Sequence, residues 1–188
     1  MKKKHLIILG AGKPHYGNDP SSLKKIFQNY STLSFILELS KKLNFKTTYV
    51  SGFKSEKIKK KFPNLKVIFN NKWDKTGPVY SLNKVPLEDN EDIIIIYSDV
   101  LVRYETLKNL SETKDDFTCV IDSNYEKRYK YRNIKNLYKK EKVFFRSNKA
   151  YYFSHKDNIK KSAELIGLIK IKKNKVKFIK KILLQINN

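Results

Sequence analysis

Two short stretches of this chain carry residue types suited to handling phosphate. The first is Gly10-Ala11-Gly12-Lys13, which follows directly on the apolar run His5-Leu6-Ile7-Ile8-Leu9. Small residues at the end of a strand let backbone N–H groups come close to a polyphosphate, because no Cβ stands in the way, and a lysine offsets the phosphate charge. The second is Asp99, which with Ser98 closes the run Ile93-Ile94-Ile95-Ile96-Tyr97. In open α/β sheets ligands collect at the carboxyl ends of the strands, so an acidic residue there falls near a site formed by the first loop. The Gly10–Lys13 loop matches neither the Walker pattern nor the dinucleotide fingerprint. Pro14 and Gly17-Asn18-Asp19-Pro20 forbid an immediate helix, so an ordered loop must follow Lys13. A plain strand-to-loop turn is the competing account of these residues.

The elements that would position them alternate between short apolar runs and helical spacing. Leu33, Ile36, Leu37 and Leu43 recur at helical intervals behind Ser31 and Thr32, which can cap a helix. Thr47-Thr48-Tyr49-Val50 is β-branched and aromatic and predicts a strand, after which Ser55 can cap a short basic helix around Ile58. Leu65–Phe69 makes a third strand, which completes a βαβαβ opening. Gly77-Pro78 excludes regular helix there, although one can begin near Val79. Ile93–Tyr97 is apolar on both faces and predicts a central, doubly covered strand. Phe117–Ile121 is another strand, 142–145 and 150–153 form a hairpin, and 164–169 adds one more strand. Val176, Ile179, Ile182, Leu183 and Ile186 are the stripe of a terminal helix. Short connections late in the chain favour antiparallel pairing, so the sheet is expected to be mixed.

Composition narrows the class. The 188 residues suffice for one well-cored domain, and 40% hydrophobic content with 12 Tyr and 11 Phe excludes a disordered chain. A formal net charge of +23 would suit nucleic acid or an anionic membrane. The excess is lysine spread along the chain, however, and the arginines are Arg103, Arg128, Arg132 and Arg146 alone. Arginine is favoured for bidentate phosphate and base contacts, so the charge reads as solvated surface and no specific nucleic acid is expected. A basic nucleic-acid-binding module is the rival reading. One cysteine, Cys119 in an apolar run, excludes a disulfide scaffold and fits a reducing compartment. Met1-Lys2-Lys3-Lys4 is followed by too short an apolar stretch for a signal peptide, and no segment is long enough to span a bilayer, so a cytoplasmic location is expected. His5, His15 and His155 are too scattered to make a metal site.

The pieces also fall in a recognisable order: Leu9-Gly10-Ala11-Gly12, Gly52-Phe53, Asn70-Asn71 with Trp73, Thr76 to Leu82, and Tyr97-Ser98-Asp99. This order resembles the nucleotidyltransferase family that includes MobA-like, sugar-phosphate, phosphocholine and aminoethylphosphonate cytidylyltransferases. Their pattern runs L-A-A-G, G-Y, N-P/N, T-x-x-x-S-L and G-D. Asp122-Ser123-Asn124-Tyr125 and Ser162-Ala163-Glu164-Leu165-Ile166-Gly167 further resemble the phosphocholine and phosphonate branch. The resemblance covers residues 5 to about 171. The order carries it rather than any single motif.

The resemblance implies a single Rossmann-like α/β domain of the GT-A type, three layers deep around a mixed central sheet. It implies that Leu9, Gly10, Ala11, Gly12 and Lys13 bind the nucleotide, that Gly52 and Ser81 line the base pocket, and that Asp99 ligates Mg²⁺. Lys13 and Asp99 would be the catalytic pair, and Asp122, Arg128 and Glu164 would meet the acceptor. The reaction implied is transfer of a nucleotidyl group, CMP from CTP above all, to a small phosphorylated or phosphonylated acceptor with release of pyrophosphate. In-line displacement at the α-phosphorus needs charge neutralised by a metal and cations and needs no covalent catalyst. This chain departs from the family in placing serine within Pro20-Ser21-Ser22-Leu23 where a lysine is usual, with Lys24 a second cation beside Lys13. It also has no carboxylate after Glu164, where relatives continue and supply a second acidic ligand, so a nucleotide-binding relative without turnover is an alternative. Bland readings stand beside each assignment. Asp99 can cap the following helix, Asp122 and Arg128 can form a surface ion pair, Glu164 can pair with a lysine, and Trp73 can simply pack.

Overall fold

The computed structural model describes residues 3–15, 17–129, 141–154 and 162–186. The chain divides into two compact units, one comprising the residues up to Thr118 together with those from Ile169 onward, the other Cys119–Leu168.

In the first unit β1 (Lys4–Gly10) leads through a 3₁₀ turn (Ser21–Leu23) to the two-stranded ribbon of β2 (Lys25–Phe27) and β3 (Tyr30–Ser31). Next come α1 (Thr32–Lys42), β4 (Lys46–Ser51), α2 (Ser55–Lys61), β5 (Lys66–Phe69), α3 (Pro78–Asn83), β6 (Asp92–Tyr97) and α4 (Tyr104–Glu112). Strands β5, β4, β1 and β6 lie side by side in that order, all parallel, with Leu9 opposite Val50 and Tyr97. The βαβαβ opening is therefore present, and β1 is the inner strand that its apolar sequence demands.

Successive side chains of a strand point to opposite faces, so β1 and β6 need two covers. On one face Ile7, Leu9, Ile93 and Ile95 pack with Val50, with Leu82 and Val85 at α3, and with Val176 and Leu183 of α6 (Lys173–Ile186). On the other face Leu6, Ile8, Ile94 and Ile96 are fully buried, as are Leu33 and Ile36 of α1 and Leu107 of α4. Each fully buried Leu or Ile contributes about 2 kcal/mol. This stack of helix, sheet and helix makes the carboxyl edge of the sheet a rigid platform.

The helix signals are mostly local. Ser31 is the N-cap of α1 and its side chain accepts from Ser34 N–H, while Lys41 and Lys42 sit at the negative end of the helix dipole. Ser55 does not cap α2 as its sequence position suggests. Lys54 holds the cap position at φ 48°, and Ser55 Oγ is instead 2.7 Å from Ser51 Oγ. Helix α4, the helix expected after Asp99, is entered through Arg103 with no side-chain cap and stands on buried Leu107 and Leu110.

In the second unit β7 (Phe117–Asp122) enters from the first, followed by α5 (Tyr125–Tyr129), the hairpin of β8 (Lys142–Arg146) and β9 (Lys149–Ser154), and β10 (Ser162–Ile171). Strand β8 pairs antiparallel with both β9 and β10. Parallel strands in the first unit and antiparallel ones in the second make the fold mixed α/β, as the connection lengths predict.

Candidate nucleotide site at the strand ends

The turns that follow β1, β4, β5 and β6 are tied to one another by hydrogen bonds between neutral groups. Phe53 N–H donates to Ala11 C=O at 2.8 Å, Asn70 N–H to Ser51 C=O at 2.8 Å, and Ser98 N–H to Leu9 C=O at 3.0 Å. These three backbone bonds join the loops of neighbouring strands in sequence, and so bring every motif of the first unit to one edge of the sheet.

Two glycines make the approach possible. A Cβ at Gly52 would stand 2.4 Å from Trp73 Cβ and 2.5 Å from Ala11 O. A Cβ at Gly10 would stand 2.0 Å from Tyr49 Oη and 2.8 Å from Ser98 Oγ. Neither space can take a methyl group without moving a neighbour. Gly12 differs, for nothing lies within 4 Å of the position its Cβ would take, and both it and Lys13 are exposed. The loop is thus anchored at Gly10 and Ala11 and presents Gly12 and Lys13 outward.

Asn70 anchors the next pair of turns. It is fully buried, its Nδ2 donates to Thr76 Oγ1 at 3.1 Å and to Ser81 Oγ at 3.0 Å, and its Oδ1 accepts from Lys72 N–H at 2.9 Å. All its polar atoms are engaged, which is what makes a buried amide tolerable. Gly52 and Ser81, expected to line the base pocket, are both buried beside these turns. Phe53 stacks edge-on against Trp73, ring centroids 5.4 Å apart, with Lys13 Nζ 5.9 Å and Lys54 Nζ 5.3 Å from the Phe53 centroid. An aromatic pair flanked by two cations thus borders the loop. The segment after Lys13 is held as well: Lys54 donates to Asn18 C=O and Lys57 pairs with Asp19.

Asp99 is exposed on the turn after β6. It does not cap the following helix, whose N-cap is Arg103 four residues on. Among the described residues no three His, Cys, Asp or Glu side chains gather to hold a metal. An ion at Asp99 would draw its other ligands from phosphate oxygens and water, which is how Mg²⁺ is commonly held on nucleotides, and a single carboxylate fits that pattern. Lys24 is exposed just before β2, its carbonyl accepting from Thr32 N–H at 3.1 Å.

Sequence reasoning missed Tyr49. It is fully buried, donates to Gly10 C=O at 3.1 Å and lies 2.8 Å from Ser22 Oγ, and its hydroxyl and Ser98 Oγ crowd the same space beside Gly10. Burial pushes its phenol up to about 12, with the nearby Asp99 charge adding to the shift. The only signal in the sequence was a tyrosine among β-branched residues, which reads equally well as packing.

The residues expected to meet the acceptor lie in or beside the second unit. Asp122 ends β7 and its Oδ1 accepts from Asn124 N–H at 2.8 Å. Glu164 stands opposite Lys142 in the β10–β8 register. Arg128 is in α5, and its side chain is outside the described residues, as are all of Arg132 and His155.

No protein-family model matches the chain, and no curated protein matches it by sequence. Solved structures do match. The inositol-1-phosphate CTP transferase from T. maritima is 14% identical with a TM-score of 0.65, the match covering 100% of this chain and 82% of that one. The CTP:phosphocholine cytidylyltransferase from Streptococcus pneumoniae is 17% identical with a TM-score of 0.63, covering 100% and 77%. A CMP:2-keto-3-deoxy-manno-octonic acid synthetase, solved in complex with CTP, is 12% identical with a TM-score of 0.65, covering 98% and 77%. This chain shares the fold of these nucleotidyltransferases. No helix among the described residues is long and apolar enough to cross a membrane.

Proposed function

We propose that the protein is a nucleotidyltransferase that takes a nucleoside triphosphate, CTP in preference, and transfers its nucleotidyl group to a small phosphorylated or phosphonylated acceptor. The observation that carries the reading is the set of turns after β1, β4, β5 and β6, locked to one another through Ala11, Gly52, Asn70 and Ser98 while Gly12, Lys13 and Asp99 remain exposed. Buried neutral groups fix the scaffold and leave a cation and a carboxylate free to meet a ligand. The CTP-using proteins among its structural neighbours support the choice of base.

In the reaction an acceptor phosphate or phosphonate oxygen attacks the α-phosphorus in line, the bond to the β-phosphate oxygen breaks, and pyrophosphate leaves. The loop amides around Gly12 and the Lys13 ammonium bind the triphosphate and offset the negative charge of the displacement. Asp99 would hold Mg²⁺, which would supply neutralisation of phosphate charge. The Phe53–Trp73 pair closes one side of the loop against water. Asp122, Arg128 and Glu164 are assigned to the acceptor.

The test is a thermal melt with each of the four NTPs and Mg²⁺, paired with pyrophosphate release across phosphorylated and phosphonylated acceptors. A ligand that binds the native state alone raises the melting temperature by mass action. CTP is expected to give the largest shift, and Lys13→Ala to diminish it. Equal shifts for all four nucleotides would remove the cytidine preference. No Mg²⁺-dependent shift with any of them would remove the reading altogether.

A further inference from the structure

The hydroxyl of Tyr49 occupies an unusual place. It lies where the side chain of residue 10 would begin, 2.0 Å from the position of a Cβ on Gly10, with Ser98 Oγ 2.8 Å from that same position. A phenol has one proton to give. That proton goes to Gly10 C=O at 3.1 Å, which leaves the oxygen to accept from Ser22 Oγ at 2.8 Å. Gly10 opens the loop that carries Gly12 and Lys13. Ser98 adjoins Asp99. Ser22 sits in the 3₁₀ turn that closes the loop after Lys13. Both bonding partners are neutral, and both Ser22 and Tyr49 are fully buried, so no water competes for these bonds.

We propose that Tyr49 is a positioning residue for the nucleotide site: its hydroxyl fixes the carbonyl end of the Gly10–Lys13 loop beside the Asp99 turn, and the missing side chain of Gly10 is the space it needs. The inference rests on the nucleotidyltransferase reading. It adds that one buried hydroxyl supplements the direct β1–β6 pairing, in which Ser98 N–H donates to Leu9 C=O, in holding the loop against that turn. The aromatic ring supplies packing to the core. The hydroxyl supplies geometry, and the two can be separated by substitution.

Tyr49→Phe keeps the ring and removes the oxygen, leaving Gly10 C=O and the Ser22 hydroxyl without that partner. The measurement is calorimetric titration of the full-length protein with CTP, with Mg²⁺ and in excess EDTA, well below the melting temperature of each variant. The wild-type protein is titrated first: if it binds no nucleotide, the functional reading fails, whatever the role of Tyr49. Given wild-type binding, Tyr49→Phe is expected to weaken Mg²⁺-CTP by about tenfold, the factor for roughly one net hydrogen bond. It should weaken metal-free CTP by much less, because only the metal complex engages both the loop and Asp99. A tyrosine that merely stabilises the fold would lower the melting temperature and leave both affinities unchanged, and that result overturns the proposal.

A second pair of variants tests the shared space. Gly10→Ala introduces the clash, and Tyr49→Val removes both hydroxyl and ring. The double variant, in which the new methyl group falls into vacated space, should bind Mg²⁺-CTP more tightly than Gly10→Ala alone. Should the double variant bind no better than Gly10→Ala, the coupling between the two positions is refuted. If Gly10→Ala alone fails to fold, recovery of a folded, CTP-binding double variant supports the coupling, and failure of both counts against it.

Discussion

Replacing Gly52 with alanine sets two opposed effects against each other, and the structure decides between them. Gly52 does not have a positive φ, so alanine can adopt its backbone conformation. On that ground alone the substitution would stabilise by about 0.4–1 kcal/mol through the unfolded chain. The new methyl, however, would lie 2.4 Å from Trp73 Cβ and 2.5 Å from Ala11 O, the first a core-facing side-chain stem and the second backbone. Neither is the free end of a flexible chain, so the loop must move. Overpacking of this kind costs about 1–3 kcal/mol. Moving Ala11 O also strains the 2.8 Å bond from Phe53 N–H, which adds about 1 kcal/mol. The net expectation is a loss of about 1–3 kcal/mol, or roughly 3–10 °C in melting temperature for a chain of this size. Nucleotide binding should weaken as well, because Ala11 is displaced. Gly12→Ala is the internal control: with open space around the new methyl, stability should stay within about 0.5 kcal/mol of wild type. Any loss of CTP affinity in that variant reports close approach of the ligand to the loop. Urea unfolding and CTP titration of both variants check the reasoning. If Gly52→Ala is as stable as wild type and binds CTP equally well, the packing account of this glycine is refuted.

Two further outcomes follow from particular residues. Asp99→Asn should abolish the Mg²⁺-dependent part of the CTP-induced melting shift while leaving the ligand-free melting temperature unchanged, since Asp99 is exposed and α4 is entered through Arg103; a melt with and without Mg²⁺ decides it. Stability should also fall in acid. His5 is 1% exposed, its Nε2 is 2.8 Å from Thr48 Oγ1, and burial together with the Lys46 charge lowers its pKa to about 4 despite Glu91 at 3.5 Å. A lowered folded-state pKa gives stability that is complete above the unfolded value of 6.5 and is lost as pH falls towards 4. The loss from this residue should reach about 2 kcal/mol by pH 5, and His5→Gln should flatten that part of a stability profile from urea melts.

The parts of the fold that were legible in sequence are those where one local pattern suffices. The run Ile93–Ile96 can only be a strand covered on both faces, and Ser31 before Leu33 and Ile36 can only open a helix. The order of the short motifs also located the site, since four turns at one sheet edge leave an ordered trace in the chain. What the residues could not disclose is which groups do the holding. Tyr49 in a strand reads as β-propensity, because nothing nearby in sequence reveals that its hydroxyl reaches Gly10 and Ser22, residues 39 and 27 positions away. Gly52 and Ser81 were assigned to a pocket wall on their place in the pattern; both are buried, and Ser81 Oγ accepts from Asn70 Nδ2. The start of helix α4 was not legible, because its N-cap Arg103 offers no capping side chain.

The division of labour in the site bears on the charge of the chain. The ties between the turns after β1, β4, β5 and β6 are bonds between neutral groups: backbone amides, the Asn70 amide, and the hydroxyls of Tyr49, Ser22 and Ser81. Such bonds avoid the desolvation penalty that buried ion pairs incur. Some lysines of the first unit are matched to acids, Lys46 with Glu91, Lys175 with Asp116, Lys180 with Asp89 and, next to the loop, Lys57 with Asp19. Lys13 lies instead beside the Phe53 ring, with Lys54 on the same ring. A net charge of +23 therefore need not signal a polyanion spread over the whole surface. What a triphosphate would meet is local: the exposed Lys13 on a loop whose anchoring bonds to the neighbouring strands are between neutral groups.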